Sequence, residues 1–177
     1  MIISLTGFMG SGKSSIGRQL SKLLCCHYMD LDEVIEEKAG KTIKDIFDTE
    51  GEAAFRRMEL QILHKILDDD CLMRDKENLI LSLGGGTVMT PECGTLIHDK
   101  TSCIYLRATV DTLVRNLENE ISGRPMLNGS DDIRLRIETL LAQRAEIYES
   151  VAHFHIDTDG KTTESITKEI LPLINHC

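Results

Sequence analysis

Near the start of the chain, Gly7-Phe8-Met9-Gly10-Ser11-Gly12-Lys13-Ser14 constrains the fold more than any other segment. It fits G-x-x-x-x-G-K-[ST], a loop that cradles phosphates between a strand and a helix. Glycines let the backbone curl until successive N–H groups point inward as an anion nest. Lys13 supplies a mobile cation for the β- and γ-phosphates, and the Ser14 hydroxyl is a ligand for Mg²⁺. A helix beginning near Gly12 adds its positive dipole end. The flanks agree with this reading rather than with a Gly-Ser turn that merely joins two elements. An apolar run of strand length (Ile2, Ile3, Leu5) precedes the loop, and a helical stripe (Ile16, Leu20, Leu23, Leu24) follows it.

A length of 177 residues implies one domain, 1–177. With 41% hydrophobic and 28% charged residues, composition is that of an ordinary soluble globular protein. No apolar run approaches the length that crosses a bilayer, so no membrane partner is expected. No basic flank or cleavage site precedes the first strand, so no signal peptide is expected and the protein is read as cytoplasmic. The net charge of −9 argues against nucleic acid as a partner. Arginines near a site must therefore be concentrated there against the overall field. The six cysteines show neither C-x-x-C nor zinc-like spacing. They read as free thiols, most of them buried as small hydrophobes, rather than as a disulfide framework. A monomer is the default for this size.

Short apolar runs alternate with helical patterns, the signature of a parallel sheet wrapped by crossover helices. Strands are predicted over 2–6, 27–29, 79–83, 103–106 and 154–156. Helices are predicted over 13–24, 31–39, 42–48, 51–68, 91–98, 110–119, 131–151 and 163–174. The stretch 118–130 resists assignment, because Gly123, Pro125 and Gly129 interrupt any helix. A loop of that length inside a compact domain is usually functional or disordered, and late in a phosphotransferase it would be a lid.

Several constellations stand beyond the loop. Asp30 and Asp32 end the second predicted strand, where parallel open sheets bind ligands. One carboxylate could hold Mg²⁺ through its water shell while the other accepts a proton from an acceptor hydroxyl. The alternative makes Asp32 a helix N-cap and Asp30 a solvated strand end. Arg56 and Glu59 are three apart on a helix and share a face. Arg56 is thus either a clamp for a carboxylate or part of a surface pair with Arg57. Gly84-Gly85-Gly86 follows the third predicted strand and would let a ligand approach the backbone; a flexible turn explains three glycines less well than one. Arg124 in the presumed lid could close over a transferring phosphoryl group, and Arg144 could reach the cleft as a second clamp. Each is otherwise a solvated arginine. His153 and His155 read as structural.

These pieces, in this order, resemble the shikimate kinase family. The family is typified by the phosphate loop, a D-x-D pair, F-R-x-x-E, G-G-G, an R-P-L-like lid and a downstream R-A-x-x-Y. The matching residues are Gly7 to Ser14, Asp30-Leu31-Asp32, Phe55-Arg56-Arg57-Met58-Glu59, Gly84-Gly85-Gly86, Arg124-Pro125-Met126-Leu127 and Arg144-Ala145-Glu146-Ile147-Tyr148. The resemblance implies a three-layer α/β fold of the P-loop, nucleoside-monophosphate-kinase type. Its parallel five-stranded sheet would run 2-3-1-4-5, with a substrate-binding region at 31–62 and a mobile lid at 118–130. It implies ATP and shikimate as substrates and Mg²⁺ as cofactor. Gly10, Ser11, Gly12, Lys13, Ser14 and Ser15 would bind ATP, with Arg124 on the phosphates and Arg115 near the adenine. Ser14 and Asp30 would serve the metal. Asp32 would bind shikimate hydroxyls and act as general base, making Lys13, Asp32 and Arg124 the catalytic set. Arg56 and Arg144 would clamp the shikimate carboxylate, helped by Gly85 and Gly86, and Glu59 would orient Arg56.

Two departures bear on this. The lid carries Met126-Leu127 after Arg124-Pro125, and the loop after Ile156 has Lys161 where many family members place an arginine. The adenine cover thus rests on Arg115 or Lys161. Two other readings remain open: a P-loop kinase of another small polyol acid such as gluconate, and a nucleotide-binding module without catalysis.

Overall fold

The alternating apolar runs pair as five parallel strands in the order β2-β3-β1-β4-β5. The computed structural model describes residues 1–68, 78–118 and 133–174. The strands are β1 (Ile2–Thr6), β2 (His27–Asp30), β3 (Leu79–Ser82), β4 (Ser102–Arg107) and β5 (Phe154–Asp157). Between them lie α1 (Lys13–Leu24), α2 (Leu31–Ala39), α3 (Ile43–Glu50) and α4 (Glu52–Leu67). The second half adds α5 (Pro91–Lys100), α6 (Val110–Leu117), α7 (Ile133–Val151) and α8 (Thr163–Ile174). A short 3₁₀ turn, Thr87–Met89, was not foreseen and follows the triple glycine.

The central strand explains the layering. All five residues of β1 are buried, as expected of a strand covered on both faces. Ile3 and Leu5 join Ile80, Ile104 and Ile156 on one face, where α1 contributes Ile16 and Leu20 and α8 contributes Ile166, Ile170 and Ile174. On the other face Leu79, Leu81, Cys103 and Tyr105 meet Leu31, Leu63, Ile97, Leu113 and Ile137 from α2, α4, α5, α6 and α7. Alternate residues of β1, β3 and β4 therefore feed two separate cores. In register, Leu5 stands beside Ser82 on β3 and Ile104 on β4, which aligns the carboxyl ends of the central strands along one edge. The loops carrying function leave from that edge.

Element boundaries moved by a residue or two from the sequence expectation. β2 extends to Asp30, whose side chain caps α2 by accepting from the Asp32 N–H at 3.1 Å. The N-cap is therefore Asp30 and not Asp32: the carboxylate one residue before the helix is the one that reaches back to a first-turn donor. The expected lid falls almost wholly outside the described residues, Arg124 included.

The described cysteines split evenly between buried and accessible positions, and Cys71 and Cys177 lie outside the described residues. Of the four described cysteines, only Cys93 and Cys103 are buried; Cys26 is half-buried and Cys25 exposed, and none of the four forms a disulfide. Cys25 ends α1 in the left-handed region at φ 50, donating its N–H to Ser21 O, and that exit turn leaves its side chain in solvent. The histidines are structural. The His153 ring stacks on His98 at 4.6 Å, and its Nδ1 accepts from the Cys103 N–H at 3.1 Å. Among the described residues no helix is long and apolar enough to cross a membrane.

Candidate active site

The phosphate loop leaves β1 and closes on α1 through glycines that no other residue could replace cheaply. At Gly10 φ is 81, and a Cβ would fall 2.7 Å from Leu117 Cγ on α6. That approach lets Asn116, the neighbour of Leu117, donate its Nδ2–H to Gly10 O at 2.8 Å, so α6 pins the loop. Lys13 is 9% exposed, and its ammonium donates to the carbonyls of Gly7 at 2.9 Å and Phe8 at 3.0 Å. Gly10, Gly12, Lys13, Ser14, Ser15 and Asn116 line a cavity of about 370 Å³. Ser11 is placed differently. Its N–H donates to Phe8 O within the loop, and its hydroxyl is buried beneath it.

Asp30 is the hub beside that cavity. Its Oδ2 accepts from the Ser14 hydroxyl at 2.8 Å and the Tyr28 hydroxyl at 3.1 Å, while Oδ1 caps α2. Burial, reinforced by the negative Asp30, pushes the Tyr28 phenol up to about 12, so it stays a donor. Two hard oxygen groups, the Ser14 hydroxyl and the Asp30 carboxylate, thus face one polar cavity. This donor set fits Mg²⁺, which takes oxygen ligands from few side chains and keeps much of its water.

A second cavity of about 480 Å³ opens beyond Asp32, walled by α2, α3 and α4. Asp32 and Gly85 line both cavities, so the two spaces meet there. From α4, Arg56 donates from Nη1 to Glu59 Oε2 at 2.7 Å, and its Nη2 lies 3.4 Å from Glu52 Oε1. Glu59 is 1% exposed, and its other oxygen accepts from the Thr87 hydroxyl at 2.6 Å. Burial pulls the Arg56 guanidinium down, but Glu59 and Glu52 outweigh it and the net shift is upward, so the cation is permanent. From α7, Arg144 is 7% exposed and donates to Gly85 O at 3.3 Å. The triple glycine is a matter of space. A Cβ at Gly84 would lie 2.7 Å from Asp32 Oδ1, and one at Gly86 would lie 2.5 Å from Arg56 Nη2.

Comparison with known proteins decides the family. The model of the family described as shikimate kinase matches residues 9–175. The chain belongs to the shikimate kinase family. A shikimate kinase of Thermus thermophilus is 41% identical over 169 residues, covering 96% of this chain and 87% of its relative. One from Francisella tularensis subsp. holarctica is 38% identical, covering 95% and 91%. Among solved structures, shikimate kinase from Acinetobacter baumannii in complex with shikimate superposes with TM-score 0.89 at 30% identity, covering 99% of this chain and 93% of that one. Shikimate kinase from Aquifex aeolicus gives TM-score 0.79 at 27% identity, covering 99% and 97%.

Within this shikimate kinase fold, Gly10, Gly12, Lys13, Ser14, Ser15, Asp30 and Asp32 surround the phosphate-loop cavity. Arg56, Gly85, Gly86 and Arg144 join Asp32 around the other. Arg115 does not reach either lining. It is exposed on α6 and its Nη2 lies 3.5 Å from the Thr112 hydroxyl. Lys161, in the β5–α8 turn, pairs with Glu169 of α8 at 2.7 Å. Four contributors escaped the sequence reading: Asn116, Tyr28, Thr87 and the Tyr148 hydroxyl, which donates to Gly85 O. For Tyr148 a signal existed, since it closes the R-A-x-x-Y segment. The others sit in ordinary helix, strand or turn sequence with nothing to mark them.

Proposed function

We propose that this chain transfers the γ-phosphoryl group of ATP to the 3-hydroxyl of shikimate, giving 3-phosphoshikimate and ADP on the route to chorismate and the aromatic amino acids. The junction of the two cavities carries the reading: Asp32 and Gly85 belong to both walls, with the phosphate loop on one side and Arg56 and Arg144 on the other. A phosphoryl donor in the polar cavity and a small carboxylated polyol in the other would meet at Asp32.

Each residue then has a task. Glycines 10 and 12 with Ser14 and Ser15 hold the ATP phosphates, and Ser11, its N–H on Phe8 O and its hydroxyl buried, supports the loop. Lys13 exchanges its two carbonyl partners for the developing charge on the transferring group. Asp32 accepts the proton of the 3-hydroxyl as that oxygen bonds to phosphorus and the bond to the ADP oxygen breaks. Arg56, held by Glu59, and Arg144 clamp the carboxylate of shikimate, with backbone help from Gly85 and Gly86. Mg²⁺, held by Ser14 and through water by Asp30, supplies charge neutralisation on the phosphates when bound. Arg124 lies outside the described residues. Its closure from a lid at 118–130 onto the phosphates, like the approach of Arg115 to the adenine, rests on the family pattern alone.

We also propose a monomeric catalytic unit and place it in the cytoplasm. A coupled ADP-release assay with shikimate and gluconate side by side tests the reading. Turnover with shikimate and not gluconate supports it; the reverse defeats it.

A further inference from the structure

Gly85 sits where the two cavities join, and its carbonyl is held from one direction by two donors. Arg144 Nη1 donates to it at 3.3 Å, and the Tyr148 hydroxyl donates to the same oxygen. Arg144 and Tyr148 are four apart on α7, so both lie on one face of that helix. We infer that the Tyr148 hydroxyl is a positioning residue for substrate: it locks the Gly85–Gly86 peptide so that the Gly86 N–H is presented to the shikimate carboxylate. The inference rests on the substrate proposed above.

The geometry follows from the planar trans peptide. The carbonyl of one residue and the N–H of the next point in opposite directions. Drawing Gly85 C=O toward α7 therefore aims Gly86 N–H away from α7. Gly86 lines the substrate cavity, and no protein acceptor takes this N–H among the described residues. Glycine peptides rotate with little steric cost, and three in a row would otherwise sample many orientations. The loop is already tied at its far end, where Thr87 donates to Glu59 and its N–H donates to Gly84 O at 3.2 Å. At the near end the Leu83 N–H donates to Leu5 O at 3.0 Å, so the Gly85 carbonyl between these ties is the one held from α7.

Arg144 cannot do this alone. If its guanidinium turns to the carboxylate of the substrate, its long bond to Gly85 O weakens at the moment of binding. Tyr148 has no such second task. It is fully buried, its ring stacks on Tyr105 at 5.1 Å, and burial pushes its phenol up to about 12, so it remains a donor throughout. A fixed donor on Gly85 lets Arg144 leave without releasing the peptide.

Tyr148→Phe removes the hydroxyl and keeps the stacked ring. The expected result is a shikimate KM raised roughly three- to tenfold, the size of one lost hydrogen bond. The KM for ATP should stay within twofold. Tyr105→Phe, which removes the hydroxyl of the stacked partner, should change neither. KM does not depend on the folded fraction, so a merely structural role for Tyr148 would lower apparent kcat and leave both KM values alone. That outcome overturns the inference, as does an equal rise in both KM values. Failure of the unsubstituted chain to phosphorylate shikimate would instead defeat the substrate reading, so the two failures are distinguishable.

Discussion

Glu59 and Arg56 form the ion pair on which the substrate cavity is built, with Arg56 Nη1 donating to Glu59 Oε2 at 2.7 Å. The carboxylate is 1% exposed and spends its other oxygen on Thr87, so it joins α4 to the turn after the triple glycine. Arg56 is thereby held at the wall of the cavity it lines. Glu59→Gln should keep part of the geometry and lose the charge. Shikimate KM should rise roughly tenfold or more, since hydrogen bonds to charged groups contribute about 1.5–3 kcal/mol. A lower Tm should accompany it, because the half-buried Arg56 is left with only the exposed Glu52 as counter-ion. Steady-state kinetics with each substrate varied in turn, together with a thermal melt, check both.

Gly84 is required by Asp32 rather than by the backbone. A methyl group there would stand 2.7 Å from Asp32 Oδ1. Gly84→Ala should displace that carboxylate and lower kcat on the order of a hundredfold, the scale of a misplaced catalytic group. Nucleotide affinity should be spared, since Gly84 does not line the phosphate-loop cavity. Calorimetric titration with ADP beside kcat measurement separates the two effects.

Lys13 is tethered to Gly7 and Phe8 carbonyls and is the buried cation of the phosphate loop. Lys13→Ala should reduce kcat on the order of 10²–10³-fold, the usual loss when a charge-stabilising donor is removed from a transition state. A kcat near that of the unsubstituted chain would remove Lys13 from the mechanism.

At the opposite end of the sheet, His153 gives a pH dependence unrelated to catalysis. Partial desolvation against its neighbours and the adjacent His98 hold its pKa below 6.5, and its Nδ1 must stay unprotonated to accept the Cys103 N–H. Below pH 6.5 the unfolded chain binds a proton that the folded chain resists, so stability falls with pH. His153→Asn keeps an acceptor without the titration. Its Tm should fall less than that of the unsubstituted chain between pH 7 and pH 5, and parallel curves would contradict this.

Much of the architecture was legible because its signals are local. The strand preceding the phosphate loop, the stripe of α1 and the amphipathic α8 (Ile166, Ile170, Ile174) are written in neighbouring residues, and all three fall where periodicity placed them. The site was partly legible for the same reason: Arg56 and Glu59 share one helix turn. Contacts that span the chain were not. Asn116 reaches Gly10 across 106 positions and Tyr148 reaches Gly85 across 63; the R-A-x-x-Y segment marks Tyr148 but not the carbonyl it holds, and nothing marks Asn116. The alternative that made Asp32 the N-cap fails at Asp30-Leu31-Asp32, where both carboxylates suit a cap by sequence. Only the turn of the backbone at Asp30, extended at φ −109 and ψ 120, assigns it.

The most direct measurement follows the phosphorus. The chain is incubated with ATP, Mg²⁺ and shikimate, and ³¹P NMR records the products. A new phosphomonoester resonance should grow in equal amount to ADP, only when shikimate is present, and should disappear with Asp32→Asn. Release of inorganic phosphate at the same rate with or without shikimate, or a phosphomonoester formed from gluconate alone, would contradict the account.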